Sequence, residues 1–244
     1  MKQQWVIDRG NTRVKIGIFR QGSLFKIIKS TRFGVREVKS LLLRYPPSEI
    51  LLASVVKVPR TVLQLLSKNA VLEVLDANTP LPIRNLYRTP ETLGVDRLAG
   101  AVKARKLFPG EAVLVIDAGT CIKYDFVDRR GNYRGGAISP GLNMRLKAMH
   151  AFTDRLPLLK PDKVKGIIGN DTLTSMMTGA IQGAVNEMHG FVNQYRKQFG
   201  KIKVVLTGGD AAFLSDSLNF GIFAAPDLVL EGLYEILLHA RRNR

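Results

Sequence analysis

The sequence predicts a layered α/β protein built from two related halves. A strand followed by an acidic, glycine-containing turn occurs twice, with the turns at Asp8–Thr12 and Asp117–Thr120. Short apolar segments also alternate with segments of helical spacing, which is the pattern of sheets covered by helices. Each turn offers a carboxylate, a glycine and a hydroxyl, a combination that suits holding a phosphate and its cation. We therefore expect two similar halves, each with one such turn.

In the first half, three strands joined by turns precede a helix, a buried strand and a second helix. Alternating apolar side chains predict the first strands, and apolar side chains three or four positions apart predict the helices. The predicted elements are, in chain order, the strands Trp5–Ile7, Val14–Phe19 and Leu24–Ser30, the helix Val35–Arg44, the strand Ile50–Val55 and the helix Pro59–Lys68.

The second half repeats the opening after a break at Pro109-Gly110, which ends the predicted helix Leu98–Leu107. This break predicts an N-terminal domain of residues 1–111 and a C-terminal domain of residues 112–244. The predicted elements are the strands Val113–Ile116, Ile122–Val127 and Tyr133–Ile138, the helices Leu142–Ala151 and Thr172–Tyr195, the strand Lys203–Thr207, a short helix and the final helix Leu228–Arg241.

Composition places the chain among globular proteins. Its 244 residues are 45% hydrophobic and 23% charged, which is enough to bury one large or two smaller cores. The longest uncharged stretch, Thr172–Asn186, contains polar residues and is shorter than the roughly 18 apolar residues that a membrane span needs. Asp8 interrupts the N-terminal segment before a signal-type apolar region forms. We therefore expect no membrane span and a cytoplasmic location.

The chain is strongly basic, with 37 Lys and Arg against 20 Asp and Glu, a formal net charge of +17 and a pI near 10.2. Such an excess attracts polyanions through counterion release. The basic residues of positions 1–47 are spread singly between apolar positions, which indicates a solvated basic face. No recognition helix, zinc finger or stacked-aromatic module accompanies the charge. The pattern favours non-specific polyanion affinity over a dedicated nucleic-acid function.

Five motifs together carry a more specific signal than any one of them. They are Asp8–Gly17, Gly94–Arg97, Asp117–Thr120, Gly135–Gly141 and Leu206–Asp210. In this order and spacing they resemble the type III pantothenate kinases, a family within the superfamily of acetate and sugar kinases, heat-shock ATPases and actin. The resemblance implies two actin-like (ribonuclease H-like) βββαβα domains with a nucleotide cleft between them. It also implies ATP-dependent phosphorylation of pantothenate to 4′-phosphopantothenate, the first step of coenzyme A biosynthesis.

The resemblance implies that the first turn binds ATP together with one residue of the second. The implied ATP contacts are Asp8, Arg9, Gly10, Asn11, Thr12, Arg13, Val14, Lys15 and Thr120. Asp8 would also face Mg²⁺ or another divalent ion on the phosphates. From the residues alone, Gly10 lets backbone N–H groups approach a phosphate, whereas strand alternation also permits Lys15 to point to solvent. Arg9 stands where a small or apolar residue is expected, and it either tunes ATP affinity or points outward.

Asp96 is the candidate catalytic residue. Phosphoryl transfer to an alcohol needs charge neutralisation, in-line positioning and usually a carboxylate near the hydroxyl. The resemblance makes Asp96 the base that accepts the pantothenate hydroxyl proton. It implies a pantothenate pocket formed by Tyr87, Gly94, Val95, Asp96, Arg97 and Thr172. The structural alternatives are a first-turn acid beside a surface arginine for Asp96 and Arg97 and a loop cover for Tyr87. For Thr172 the alternative is a helix N-cap, with Thr172 or Asp171 at the start of the helix.

The second turn is implied to bind a monovalent cation. Asp117 matches the family position that ligates potassium or ammonium, for which oxygen ligands are suitable. Its alternative is a turn-forming role. Gly208-Gly209 resembles the adenosine turn of the superfamily, with a flexible strand exit as the alternative. The small residues of Gly179–Gly183 favour a homodimer interface, to which the resemblance adds Thr172, with an ordinary core contact as the alternative.

Two other function classes remain open from the sequence. The family has relatives that act as accessory factors for transcription, so a DNA-associated regulator is one alternative. A kinase of the same superfamily for another small hydroxylated substrate is the second. The three histidines lack metal-ligand spacing, the single Cys121 excludes an internal disulfide, and the chain has no P-loop motif. The acids retained in the motifs favour the kinase.

Overall fold

The computed structural model of the protein describes residues 3–76 and 78–242. The chain divides into two compact units. Unit 1 contains the chain up to Leu107 and again from Asp227 onwards, and unit 2 contains Phe108–Pro226. Each unit has its own sheet and its own buried apolar cluster.

Unit 1 is built on a five-stranded sheet with helices. Its elements are β1 (Gln3–Arg9), β2 (Val14–Arg20), β3 (Ser23–Ser30), α1 (Val35–Arg44), β4 (Glu49–Ser54), α2 (Arg60–Asn69), β5 (Val71–Val74), the two-residue strand β6 (Arg84–Asn85), a 3₁₀ turn (Pro90–Thr92), α3 (Val95–Leu107) and α7 (Leu228–Arg242). The sheet has the order β3-β2-β1-β4-β5. Strands β1, β2 and β3 are antiparallel neighbours, whereas β1, β4 and β5 are parallel neighbours.

The core of unit 1 follows from the position of β1 at the centre of this sheet. Residues Gln3–Ile7 of β1 are all buried, whereas the edge strand β3 is mostly accessible. Trp5 and Ile7 pack in one cluster with Val38 of α1 and Leu66 of α2, the apolar positions that gave those segments helical spacing. The strand pattern and the helix pattern therefore meet in one core.

Unit 2 repeats the same arrangement. Its elements are β7 (Ala112–Ala118), β8 (Cys121–Val127), β9 (Asn132–Pro140), α4 (Leu142–Ala151), α5 (Thr172–Phe199), β10 (Ile202–Thr207), α6 (Ala211–Ser215) and β11 (Phe223–Ala224). Its five strands lie in the order β9-β8-β7-β10-β11. The first three are antiparallel neighbours, and β7, β10 and β11 are parallel neighbours. Strand for strand this is the order of unit 1, so the prediction of two related α/β halves is confirmed.

The last helix departs from the predicted division of the chain. The sequence placed residues 112–244 in one domain, but α7 packs in unit 1. A Cβ on Gly232 would lie 1.9 Å from the carbonyl oxygen of Ala99, so the backbones of α7 and α3 are in direct contact. Lys103 Nζ lies 3.1 Å from Glu231 Oε2 across the same pair of helices. The small residue Gly232 allows this close approach, and the buried apolar side chains of α7 add to its packing in unit 1.

Three short strands were absent from the sequence prediction. They are β5, β6 and β11, of two to four residues each. The two valines at the ends of β5 are exposed, so this edge strand has no buried alternation for a pattern to detect. Among the described residues, no helix has the length and apolar character needed to cross a membrane.

Candidate active site

The β1–β2 turn presents polar side chains at the end of a central strand. Asn11, Thr12 and Arg13 are exposed, and the Gly10 N–H donates to the Arg13 carbonyl at 3.0 Å. Asp8 lies directly opposite Lys15 in the antiparallel β1–β2 ladder. Directly opposed residues share a face of the sheet. Lys15 therefore lies on the same face of the sheet as Asp8.

Neither turn glycine is required by the packing of the protein. A Cβ on Gly10 would meet only the Arg13 carbonyl oxygen at 3.5 Å, which is an ordinary contact. No heavy atom of the described residues lies within 4 Å of where a Cβ on Gly119 would be. Neither residue is among the glycines with positive φ. Each turn therefore has room for another group on the Cβ side of its glycine.

Arg9 is directed towards the body of unit 1. Its guanidinium carbon lies 5.3 Å from the centroid of the Phe33 ring. Its Nη1 atom is buried and has no hydrogen-bond partner among the described residues. Of the two expectations for Arg9, an outward-pointing side chain is wrong, because the guanidinium covers Phe33.

The carboxylate of Asp96 is folded over the start of α3. Its Oδ1 accepts a hydrogen bond from the Arg97 N–H at 3.0 Å. A Cβ on Gly94 would lie 2.6 Å from the same oxygen. Gly94 thus makes room for the carboxylate, which also lies where the helix dipole favours negative charge.

Arg97 is buried and faces Tyr87. Only 6% of its surface is exposed, so the alternative of a surface charge is wrong. Its guanidinium carbon lies 5.7 Å from the centroid of the Tyr87 ring, within the range of a cation–π contact. The backbone N–H of Tyr87 donates to Asn85 Oδ1 at 3.0 Å, which fixes the preceding loop. Unit 1 thereby brings together Tyr87 and the Gly94–Arg97 segment.

In unit 2, the carboxylate of Asp117 near the end of β7 lies between Lys123 and Gly208. Its Oδ2 lies 2.6 Å from Lys123 Nζ, and the two side chains are 19% and 18% exposed. Lys123 is the residue directly opposite Asp117 in the β7–β8 ladder. A Cβ on Gly208 would lie 2.6 Å from Asp117 Oδ1. The sequence prediction did not include Lys123, although strand pairing after the turn would place it beside Asp117.

Glycines from two later motifs pack against the second turn. A Cβ on Gly141 would lie 2.0 Å from the carbonyl oxygen of Gly119, and one on Gly208 would lie 2.1 Å from that of Ala118. Gly208 also has a φ of 102°, which favours glycine. The Asp210 N–H donates to the Ala118 carbonyl at 2.9 Å. Gly208 therefore has a packing role of its own, and a flexible strand exit is wrong for it.

Glu187 of α5 is the centre of a hydrogen-bond network that the sequence prediction missed. It accepts hydrogen bonds from Tyr124 at 2.8 Å, Ser139 at 2.5 Å and Arg145 at 2.5 Å. Burial acts to raise the pKa of Glu187, but these hydrogen bonds outweigh it and hold the pKa below its ordinary value. Burial and the bond to Glu187 raise the pKa of Tyr124. The sequence did contain a sign of this role, because Glu187 lies three positions after Ala184 and so on the buried face of the helix.

Thr172 lies at the start of α5 but is not the N-cap of this helix. Asp171 is the N-cap, because its Oδ1 accepts from the Thr174 N–H at 2.7 Å. This bond contributes to lowering the pKa of Asp171. Thr172 is the first helical residue and is exposed. Of the two N-cap candidates, Asp171 is therefore confirmed and Thr172 is wrong, and Thr172 lies at the surface of unit 2.

Comparison with known proteins decides the family. A family model described as type III pantothenate kinase matches residues 5–194. The type III pantothenate kinase of Bacteroides fragilis is 42% identical over 233 residues, which cover 95% of this chain and 96% of that protein. The chain belongs to the type III pantothenate kinase family. The family member from Flavobacterium johnsoniae is 39% identical over 229 residues, covering 93% of this chain and 94% of that protein.

Solved structures show the fold of this type III pantothenate kinase family member. A Campylobacter jejuni protein described as a Baf family transcriptional activator has a TM-score of 0.63 at 19% identity, covering 98% of this chain and 99% of its own. A ROK family protein from Streptococcus pneumoniae has a TM-score of 0.50 at 13% identity, covering 99% of this chain and 100% of its own. At such identities the likeness is one of fold. It confirms the predicted actin-like fold class.

Proposed function

We propose that the protein transfers the γ-phosphoryl group of ATP to pantothenate, giving 4′-phosphopantothenate in the first step of coenzyme A biosynthesis, in the cytoplasm. Family membership over nearly the whole chain supports this activity. The observation that carries it is the cluster at the start of α3, where a carboxylate, a buried guanidinium and an aromatic ring lie together. Pantothenate offers a hydroxyl, a carboxylate and an apolar body to these three groups.

In this proposal the start of α3 orients pantothenate. Arg97 pairs with the substrate carboxylate, Tyr87 covers its apolar part, and backbone at Gly94 and Val95 lines the pocket. The substrate hydroxyl oxygen attacks the γ-phosphorus, its proton passes to Asp96, and ADP leaves. A guanidinium held in place by a ring loses less freedom when it binds a carboxylate, which favours specific recognition.

We propose that the β1–β2 turn holds the ATP phosphates. Residues Arg9–Val14 supply backbone and side-chain donors, and Asp8 takes a divalent ion such as Mg²⁺ carried by the phosphates. The placement of Lys15 on the face of Asp8 supports a charge contact with ATP. The open space beside Gly10 supports the approach of a phosphate to the backbone. Thr120 of the second turn supplies a further contact.

We propose that Asp117 requires a positive charge beside it when ATP is bound. The family resemblance implies that potassium or ammonium is that charge. The short contact of Asp117 with an ammonium group supports a cationic requirement at this carboxylate. ATP titrations in potassium, ammonium and sodium buffers measure whether ATP affinity depends on a cation supplied from solution.

We propose that the protein acts as a homodimer through the surface around the start of α5. Large apolar side chains are exposed just before α5, with Ile167 at 79% and Ile168 at 82%, and Phe152 at the end of α4 is 87% exposed. No heavy atom of the described residues lies within 4 Å of a Cβ placed on Gly179, so the chain leaves this helix position uncovered. An interface here would bury the apolar side chains and cover Thr172, for which the resemblance implies a pantothenate contact.

A substrate panel tests the proposed function. Purified protein with ATP and Mg²⁺ is offered pantothenate, sugars and acetate in parallel, and ADP release and phosphorylated product are measured. We expect product with pantothenate alone. Turnover of a sugar or acetate in place of pantothenate would contradict the proposal.

A further inference from the structure

Lys123 places an ammonium group on the carboxylate for which a monovalent cation is implied. Lys123 Nζ lies 2.6 Å from Asp117 Oδ2, and both side chains are more than four-fifths buried. The strand register favours the contact, because the two residues are direct partners in the β7–β8 ladder and lie side by side on one face of the sheet. An ion pair held this way is screened less by solvent than one on the surface.

The residues around Asp117 do not fit an additional free cation. One carboxylate oxygen already contacts the Lys123 ammonium, and the other is approached closely by the backbone of Gly208. A potassium or ammonium ion on the same carboxylate would lie within a few ångströms of the lysine charge and would be repelled by it. The donor set therefore fits one positive charge, and the chain already provides it.

We infer that Lys123 takes the place of the added monovalent cation at Asp117, so that ATP binding by this protein does not depend on potassium or ammonium. The inference rests on the proposed function only in taking ATP as the ligand. Lys123 is a positioning residue here, because it acts on ATP through the Asp117 carboxylate and the turn that follows it.

The duplicated sheet supports this reading of Lys123. In unit 1, Asp8 lies opposite Lys15 across β1 and β2, and in unit 2, Asp117 lies opposite Lys123 across β7 and β8. Each half therefore places a lysine beside the acid that begins its turn. The sequence intervals differ by one residue because the second turn is shorter, so the equivalence lies in the strand register.

The experiment compares ATP affinity in different salts for the wild type and Lys123→Ala. Calorimetric titration with a non-hydrolysable ATP analogue and Mg²⁺ is carried out at equal ionic strength in tetramethylammonium, sodium, potassium and ammonium chloride. We expect wild-type affinity to vary less than about twofold among the salts. Lys123→Ala opens space at Asp117, so its affinity should fall about tenfold in tetramethylammonium and recover in potassium or ammonium.

Lys201→Ala is the matched control, because it removes the same charge from an exposed position of unit 2. It should show neither the loss nor the recovery. If thermal unfolding shows that Lys123→Ala is not folded, Lys123→Met keeps the apolar stem, and its affinity should fall in every salt. Potassium-dependent affinity in the wild type, or unchanged affinity in the Lys123 variants, would overturn the inference. A protein that binds ATP as expected but fails to phosphorylate pantothenate contradicts the proposed function alone.

Discussion

The two acidic turns follow equivalent strands of two sheets with the same order, yet the chain surrounds them differently. The turn after β1 is exposed, and a Cβ on Gly10 would make only an ordinary contact. The turn after β7 is packed against glycines of two later segments, and Asp117 contacts Lys123. The strand order is thus shared between the halves, whereas the surroundings of the turn are not.

This difference suggests that the turn of unit 1 is shaped for contact with a ligand, whereas the turn of unit 2 is held in place by the rest of its unit. The open turn of unit 1 lies in the same unit as Asp96, Arg97 and Tyr87, the groups that the proposed reaction uses. The turn of unit 2 is pre-organised by packing, which fixes its carbonyl groups and its acid before any ligand arrives. Substitutions in the unit 1 turn should therefore change ligand binding with little loss of stability, whereas substitutions at the glycines packed on the unit 2 turn should lower stability.

The largest expected effect tests whether unit 1 carries the chemistry. Asp96→Asn keeps an oxygen that can accept from the Arg97 N–H, so the fold should persist. The amide cannot take the substrate proton, and kcat for pantothenate should fall about 10³-fold, as for loss of a general base. Steady-state kinetics measure this, with Glu91→Gln in the preceding exposed turn as the control. A kcat near that of the wild type would remove Asp96 from this role.

The second prediction tests the packing of the unit 2 turn. Gly208→Ala would place a methyl group 2.1 Å from the Ala118 carbonyl oxygen at a φ of 102°. Both the clash and the backbone conformation oppose alanine, so unfolding in denaturant should show a loss of about 3 kcal/mol. Gly209→Ala is the matched control, because no described heavy atom lies within 4 Å of its Cβ position. Equal stability of the two variants would contradict the packing role of Gly208.

The third prediction tests how much the hydrogen bonds of Glu187 contribute to the stability of the protein. Glu187→Gln keeps the shape but weakens three hydrogen bonds, and should lower the free energy of unfolding at pH 7 by about 2 kcal/mol. Because the pKa of Glu187 is lowered on folding, its contribution is present above the unfolded pKa and is lost as pH falls through the folded one. The difference from wild type should therefore shrink below about pH 4.

Denaturation at several pH values measures this difference. Glu235→Gln is the control, because Glu235 has a similar exposure, at 22%, but its ion-pair partner Lys106 is 66% exposed and lies 3.6 Å away. For a pair with such an exposed partner, less than about 1 kcal/mol is expected. A deficit for Glu187→Gln that stays constant from pH 7 to pH 3 would contradict the lowered pKa.

Local patterns predicted most of the fold. The helix bounds Val35–Arg44 and Leu142–Ala151 agree with α1 and α4 residue for residue, because helical spacing is written within one segment. The assignment of α7 to unit 1 was not predictable in this way. It depends on Gly232 meeting Ala99, a contact between segments more than a hundred residues apart.

The sequence motifs named part of the candidate site, whereas residues whose placement depends on strand or helix pairing were not named. The motifs named Asp96, Arg97 and Asp117, but the burial of Arg97 and its contact with Tyr87 come from the folded loop. Lys123 was missed because its relation to Asp117 depends on register. Glu187 was missed because its partners come from β8, β9 and α4.

The smallest expected effect is for a substitution in the exposed turn of unit 1. Among the described residues, an alanine Cβ at position 10 meets only the Arg13 carbonyl oxygen at an ordinary 3.5 Å, so Gly10→Ala should change the free energy of unfolding by less than about 0.5 kcal/mol. The new methyl group lies where a phosphate is proposed to approach, and ATP affinity should fall about tenfold, or 1.4 kcal/mol. Calorimetric titration measures this against Gly221→Ala, at an exposed glycine whose Cβ position has no neighbour within 4 Å among the described residues. A stability loss as large as that of Gly208→Ala would mean that both turns are shaped by the chain, and the contrast between the halves would not hold.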